Sequence, residues 1–102
     1  MGKKNVKIEV NGMPVADPDP LKWVLKSDRD YIEWRCDDPF EITLHYPEDF
    51  ENTRKVLVSS VKNGRHRANT GPVAAGAPID VDRKYDILAN GKLADPDYRV
   101  RP

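Results

Sequence analysis

The sequence predicts an all-β sandwich of seven or eight strands in Greek-key order, built as a single domain over residues 1–102. Two observations carry this. Apolar and polar residues alternate with period two through much of the chain, the spacing that sends successive side chains to opposite faces of a strand. Each alternating run also closes on a short cluster of Asn, Gly, Asp, Pro or Ser, the punctuation of strand–turn–strand connections. No long segment shows a helical period.

Val6, Ile8 and Val10 alternate with Lys7 and Glu9, and Asn11-Gly12 follows as a turn. Leu21, Trp23 and Leu25 form the next apolar face, closed by Ser27-Asp28-Arg29-Asp30. Ile32, Trp34 and Cys36 then point one way while Tyr31, Glu33 and Arg35 point the other. After Asp37-Asp38-Pro39, Phe40, Ile42 and Leu44 oppose Glu41, Thr43 and His45. This pattern assigns both Trp23 and Trp34 to the core, Cys36 inward, and Tyr31 and His45 outward.

Pro47-Glu48-Asp49-Phe50 reads as the start of a short helix, with proline at its first position and acids in its first turn. On that reading Glu48, Asp49 and Glu51 are first-turn acids that complement the helix dipole. Lys55 to Val61 reads as one strand, residues 62–78 as an extended connection rich in Gly, Pro and Ala, and Tyr85–Ala89 and Tyr98–Arg101 as the closing strands around Asn90-Gly91.

Composition bounds the function. Apolar residues are 38% and charged residues 33% of the chain, a thin core under a well-solvated surface. Seventeen basic residues balance seventeen acidic ones, so no long-range field selects nucleic acid or an anionic membrane, and a charged partner must be held by a local patch. The one cysteine, Cys36, excludes an internal disulfide. No stretch has the apolar core of a secretory leader or the length of a membrane span, and the expected compartment is the cytoplasm; a chain with its leader replaced by Met-Gly would read the same.

One internal echo stands out. Asn11-Gly12-Met13-Pro14-Val15-Ala16-Asp17-Pro18-Asp19 is repeated, one residue shorter, as Asn90-Gly91-Lys92-Leu93-Ala94-Asp95-Pro96-Asp97. The two copies are either similar connections in one sandwich or a place where Asp17, Asp19, Asp95 and Asp97 converge on a hard cation such as calcium.

The run Asp17-Pro18-Asp19-Pro20, Leu21 to Lys26, Ser27-Asp28-Arg29-Asp30, Tyr31-Ile32-Glu33-Trp34 and Asp37-Asp38-Pro39-Phe40 resembles the cupredoxin-like superfamily, as does the stretch from about Tyr85 to Arg101. The resemblance implies a cupredoxin-like sandwich, with an immunoglobulin-like one as the alternative. It also implies where copper ligands would stand, and they are missing. Phe40 occupies the place of the first histidine, and Leu88-Ala89-Asn90-Gly91-Lys92-Leu93 offers no Cys, His or Met for the rest. A blue-copper centre needs two imidazoles, a thiolate and a weak axial ligand. A rebuilt site would have to draw on Cys36, His45, His66, Met13 or Met1, and Cys36 and His45 fall on opposite strand faces.

Lys62-Asn63-Gly64-Arg65-His66-Arg67 is the one local concentration of positive charge. Arg65, His66 and Arg67 are the candidate binding residues, since guanidinium groups offer paired donors to phosphate or carboxylate; otherwise they solubilise a turn. No aromatic residue interleaves with them, so a nucleic-acid stacking surface is not expected. With two histidines and no nucleophile motif, the residues point away from an enzyme. The expectation is a non-catalytic binding or interaction module without cofactor, for an unknown ligand or protein partner. The alternative is a metal-binding or electron-transfer protein with an atypical site.

Overall fold

Eleven strands occur in chain order in the computed structural model, which describes residues 2–102: β1 (Lys3–Asn11), β2 (Met13–Asp17), β3 (Leu21–Leu25), β4 (Tyr31–Cys36), β5 (Phe40–Leu44), β6 (Val56–Val58), β7 (Ser60–Lys62), β8 (Arg65–Asn69), β9 (Asp82–Ala89), β10 (Lys92–Ala94) and β11 (Asp97–Arg101). They form two packed sheets. The first is five-stranded, in the order β2-β1-β4-β8-β7. The second is six-stranded, in the order β3-β11-β9-β5-β6, with β10 beside the end of β9. Hairpins join β1 to β2 and β7 to β8, while β1 runs parallel to β4 and β3 parallel to β11. The chain passes between sheets repeatedly, so one apolar cluster draws on both.

The count exceeds seven or eight because the Asn11-Gly12 and Asn90-Gly91 turns lead into two short added strands, β2 and β10, and because two further segments depart from expectation. The predicted strand Lys55–Val61 is split at Ser59, where the chain turns from one sheet into the other. Ser59 N donates to Phe40 O at 3.0 Å, and Phe40 N donates to Ser59 Oγ at 2.9 Å, so the serine itself satisfies the corner. Residues 62–78 are likewise not one extended connection. They hold β8, because Asn63 and Gly64 both take positive φ and close a tight hairpin with β7. Beyond β8, Val73 and Ala77 are buried and the segment is stapled down, with Val73 N donating to Asp30 O at 2.8 Å and Ala74 N to Asp49 O at 2.7 Å.

Trp23 corrects another expectation: it is 59% exposed. Leu21 pairs with Tyr98 and Val24 with Val100, so three residues of β3 span two of β11. This bulge shifts the alternation by one, burying Val24 in place of Trp23. Trp23 lies outside instead, beneath the Arg101 guanidinium at 4.7 Å. Trp34 is fully buried as expected, and its Nε1 donates to Tyr85 Oη at 3.1 Å. Aromatic rings continue from Trp34 through Tyr85 and Tyr98 to Phe50, with successive centroids 5.2, 6.2 and 5.5 Å apart.

The acidic run after Pro47 is a single 3-10 turn, Pro47–Asp49, and Asp49 is not a solvated first-turn acid. It is buried, accepts from Tyr98 Oη at 2.6 Å, and pairs with Arg83, whose Nε lies 3.1 Å from Oδ2. Arg83 in turn lies over the Tyr46 ring at 3.7 Å. A second buried carboxylate, Asp30, accepts from Leu25 N at 2.8 Å and faces Lys4 Nζ at 3.6 Å. No helix among the described residues is long and apolar enough to cross a membrane.

Candidate functional site

Register fixes which side chains meet on the outer face of the five-stranded sheet. Lys7 stands opposite Arg35, and Arg35 opposite Arg67, so three cations lie abreast across β1, β4 and β8. The neighbouring row sets Asn5 beside Glu33 and Asn69. Adjacent strands are about 4.8 Å apart, so this row of charge would repel itself without partners. Two of the three have them. Lys7 Nζ lies 3.3 Å from Glu9 Oε1, and Arg67 Nη1 lies 3.4 Å from Glu33 Oε2, which Lys3 Nζ also approaches at 3.2 Å. Glu33 is itself nearly buried, because these long side chains fold over it.

Arg35 has no such partner. Its Nε is buried and makes no hydrogen bond, one of two such side-chain atoms among the described residues. A buried guanidinium N–H left unpaired carries an unrecovered desolvation cost of about 1–3 kcal/mol. Arg35 lines a pocket of about 190 Å³ where β1 and β4 separate past their last paired residues, Ile8 and Cys36. Lys7 and Arg65 add two cations to its walls, and Glu9, Asp37 and Asp38 add three carboxylates. Arg65 Nε reaches Asp37 only at 3.8 Å. The pocket lining thus carries charge of both signs, including the unpartnered Arg35 and the Asp38 carboxylate.

Cys36 also lines the pocket. Burial is the main influence raising its thiol above the ordinary cysteine value, with the Asp38 and Asp37 charges adding to it and the Asp38 N–H, 3.4 Å from Sγ, opposing. The group is held as a thiol, which suits packing and not nucleophilic attack.

The predicted binding residues divide. Arg65, His66 and Arg67 belong to β8 and not to a loop. Arg65 borders the pocket; Arg67 is engaged by Glu33 and by Lys62 O at 3.2 Å; His66 stands opposite Cys36 on the inner face and opposite Val61 at the edge. Arg35 was missed as a site residue. Alternation already places it outward on β4, but nothing local in the sequence shows that β1 and β8 flank that strand.

The other candidates are also placed. His45 is exposed and lies 3.1 Å from Asp86, away from Cys36 and His66. The two Asp-Pro-Asp segments do meet: Asp97 N donates to Asp19 Oδ1 at 3.2 Å. Asp17, however, turns to the other sheet opposite Lys7, and the Lys84 ammonium stands 3.1 Å from Asp97 and 3.9 Å from Asp95. The hydrogen bond to Asp97 and its charge raise the Lys84 ammonium above the ordinary lysine value. A lysine therefore supplies the cation between these loops. Among the described residues, no group of three or more His, Cys, Asp or Glu side chains is arranged to hold a metal, and Met1 lies outside them. Searches against protein-family models, curated proteins and solved structures find no match to this chain.

Proposed function

We propose that the protein is a non-catalytic binding module that receives a carboxylate-bearing ligand at Arg35, on the outer face of its five-stranded sheet. The observation that carries this reading is that Arg35, whose buried Nε has no hydrogen-bond partner, lines a pocket. A planar carboxylate accepts from guanidinium in the paired geometry that Arg35 lacks. Lys7 and Arg65 lie close enough to share the charge, while Glu9, Asp37 and Asp38 disfavour a doubly charged phosphate. The bordering Asp38 suits a ligand that also carries an ammonium or other donor group.

On this reading the sandwich is a cupredoxin-like one that uses its sheet face in place of a copper loop. The all-β two-sheet class and the sequence resemblance support that assignment; Phe40 in the first histidine's place supports the absence of copper chemistry.

Titration with glutarate and, separately, inorganic phosphate, followed through the Arg35 Nε–Hε resonance, tests the proposal. A saturable shift with glutarate, weaker with phosphate, is expected, and in Arg35→Gln the accompanying shifts of the Lys7, Cys36 and Asp38 backbone amides should disappear. An Nε resonance unmoved by glutarate, or a shift that tracks only ionic strength, overturns it.

A further inference from the structure

The outer face of the six-stranded sheet is divided into two unlike halves. Along β11 its charges are matched by the first half of β9 and the bend before it: Arg101 with Asp80 at 2.8 Å, Arg99 with Asp82 at 2.8 Å, and Lys84 with Asp97 at 3.1 Å. The other half carries a row of Leu93, Leu88, Glu41 and Val58 across β10, β9, β5 and β6. Directly opposed residues of antiparallel strands share a face, so these side chains stand side by side. Thr43 and Val56 continue the patch one row on. Leu93 is 59%, Val58 65%, Val56 48% and Leu88 38% exposed. Ile87, Ala89 and Leu57, the strand neighbours of Leu88, Val56 and Val58, fill the core, as does Ile42 beside Glu41, so alternation turns those groups outward, and Leu93 joins them through its pairing with Leu88.

Glu41 stands in the middle of this row, between Leu88 and Val58, and none of the ion pairs among the described residues includes it. We propose that this face docks a protein segment presenting a lysine or arginine flanked by aliphatic side chains. Covering the row with a purely apolar surface would strip water from the Glu41 carboxylate and leave it unpaired, which opposes docking. A cation on the partner removes that penalty and fixes register, while the aliphatic residues on either side are buried together. A second copy of this chain is the wrong partner. Stacking the face on itself brings Glu41 toward Glu41, and like charges across an interface oppose association. The site lies on the opposite sheet from Arg35, so it is independent of the carboxylate pocket.

The test is selection of a random peptide display library on the intact protein, followed by titration of the enriched peptide as a synthetic chain. The expected consensus holds a lysine or arginine between aliphatic residues. Binding should shift the methyl resonances of Leu88, Leu93 and Val58 and weaken about tenfold or more in Glu41→Gln. The fold of that variant is checked by circular dichroism, and Leu88→Asp, at an exposed position, serves as a second variant that should also abolish binding. Absence of any enriched sequence, a consensus without a basic residue, or unchanged affinity in Glu41→Gln overturns the proposal. So does a concentration-dependent dimer, seen by sedimentation, that Leu88→Asp dissociates, since a second copy would then be the occupant.

Discussion

The Tyr98 hydroxyl donates to Asp49 Oδ2 at 2.6 Å, inside the core and beside the Arg83 guanidinium. This contact ties the short 3-10 turn after β5 to β11 and β9, which are distant in sequence. Because both oxygens of Asp49 are occupied, the residue is a structural anchor and not a free acid.

Asp49→Ala should therefore be among the more damaging single changes in the molecule. It leaves Arg83 and the Tyr98 hydroxyl without their partner, and removing one member of a buried pair costs about 3–5 kcal/mol. Tyr98→Phe removes only one hydrogen bond, and the expected loss is about 1–2 kcal/mol. Urea denaturation of both variants measures this. Equal, small losses would mean that the network carries little of the fold's stability.

Stability at high pH follows from the two buried phenols. Burial holds Tyr85 above the ordinary tyrosine range, opposed only by the Trp34 hydrogen bond. Burial, the hydrogen bond to Asp49 and its negative charge hold Tyr98 above it as well. Each folded-state value is raised, so the unfolded chain releases these protons first. The stabilisation is complete below about pH 10, the unfolded value, and declines as pH rises above it, by up to about 1.4 kcal/mol per pH unit for each phenol. Urea midpoints measured from pH 9 to pH 11.5 should fall progressively, and Tyr85→Phe should make the fall shallower. A flat profile in the wild type contradicts this account.

The two tryptophans should behave as opposites. Trp34→Ala opens a cavity in the aromatic cluster and strands Tyr85 Oη, with an expected loss of about 3–5 kcal/mol. Trp23→Ala removes only the exposed stack on Arg101, and the change should stay within about 0.5 kcal/mol. Acrylamide quenching of the single-tryptophan variants Trp23→Phe and Trp34→Phe separates the emitters. The residual fluorescence should be protected when Trp34 remains and quenchable when Trp23 remains. Comparable quenching of the two would refute the bulge in β3.

That bulge also shows where sequence reasoning stops. Four of the early strands, the core faces of β1, β4 and β5 and the inward Cys36 were legible, because period-two alternation is local and survives tertiary packing. The fate of Trp23 was not, because one extra residue in β3 is visible only once Tyr98 and Val100 are known to be its partners. The split at Ser59 was hidden for a similar reason: Val56, Leu57 and Val58 continue smoothly into Val61, and only the hydrogen bonds to Phe40 show the corner. Arg65 and Arg67 were found as a basic cluster but read as a loop, although Asn63-Gly64 carries the same turn signal as Asn90-Gly91. The site at Arg35 depends on the parallel pairing of β1 with β4, which alternation does not encode.

The last prediction concerns Arg67, which the sequence marks as a binding residue and the structure engages with Glu33. Glu33 has only this guanidinium and the more exposed Lys3 to compensate its nearly buried carboxylate. Arg67→Ala should therefore destabilise the fold by about 1–3 kcal/mol, because it leaves a poorly hydrated charge. Glu33→Gln in the Arg67→Ala background should recover part of that loss, since the uncompensated charge is then gone. A double-mutant cycle by urea denaturation gives the coupling directly. Glutarate binding at Arg35 should survive Arg67→Ala and weaken in Arg65→Ala, because only Arg65 borders the pocket. Additive energies in the cycle would make the Arg67–Glu33 contact a solvated surface pair, and loss of glutarate binding in Arg67→Ala would extend the site across β8.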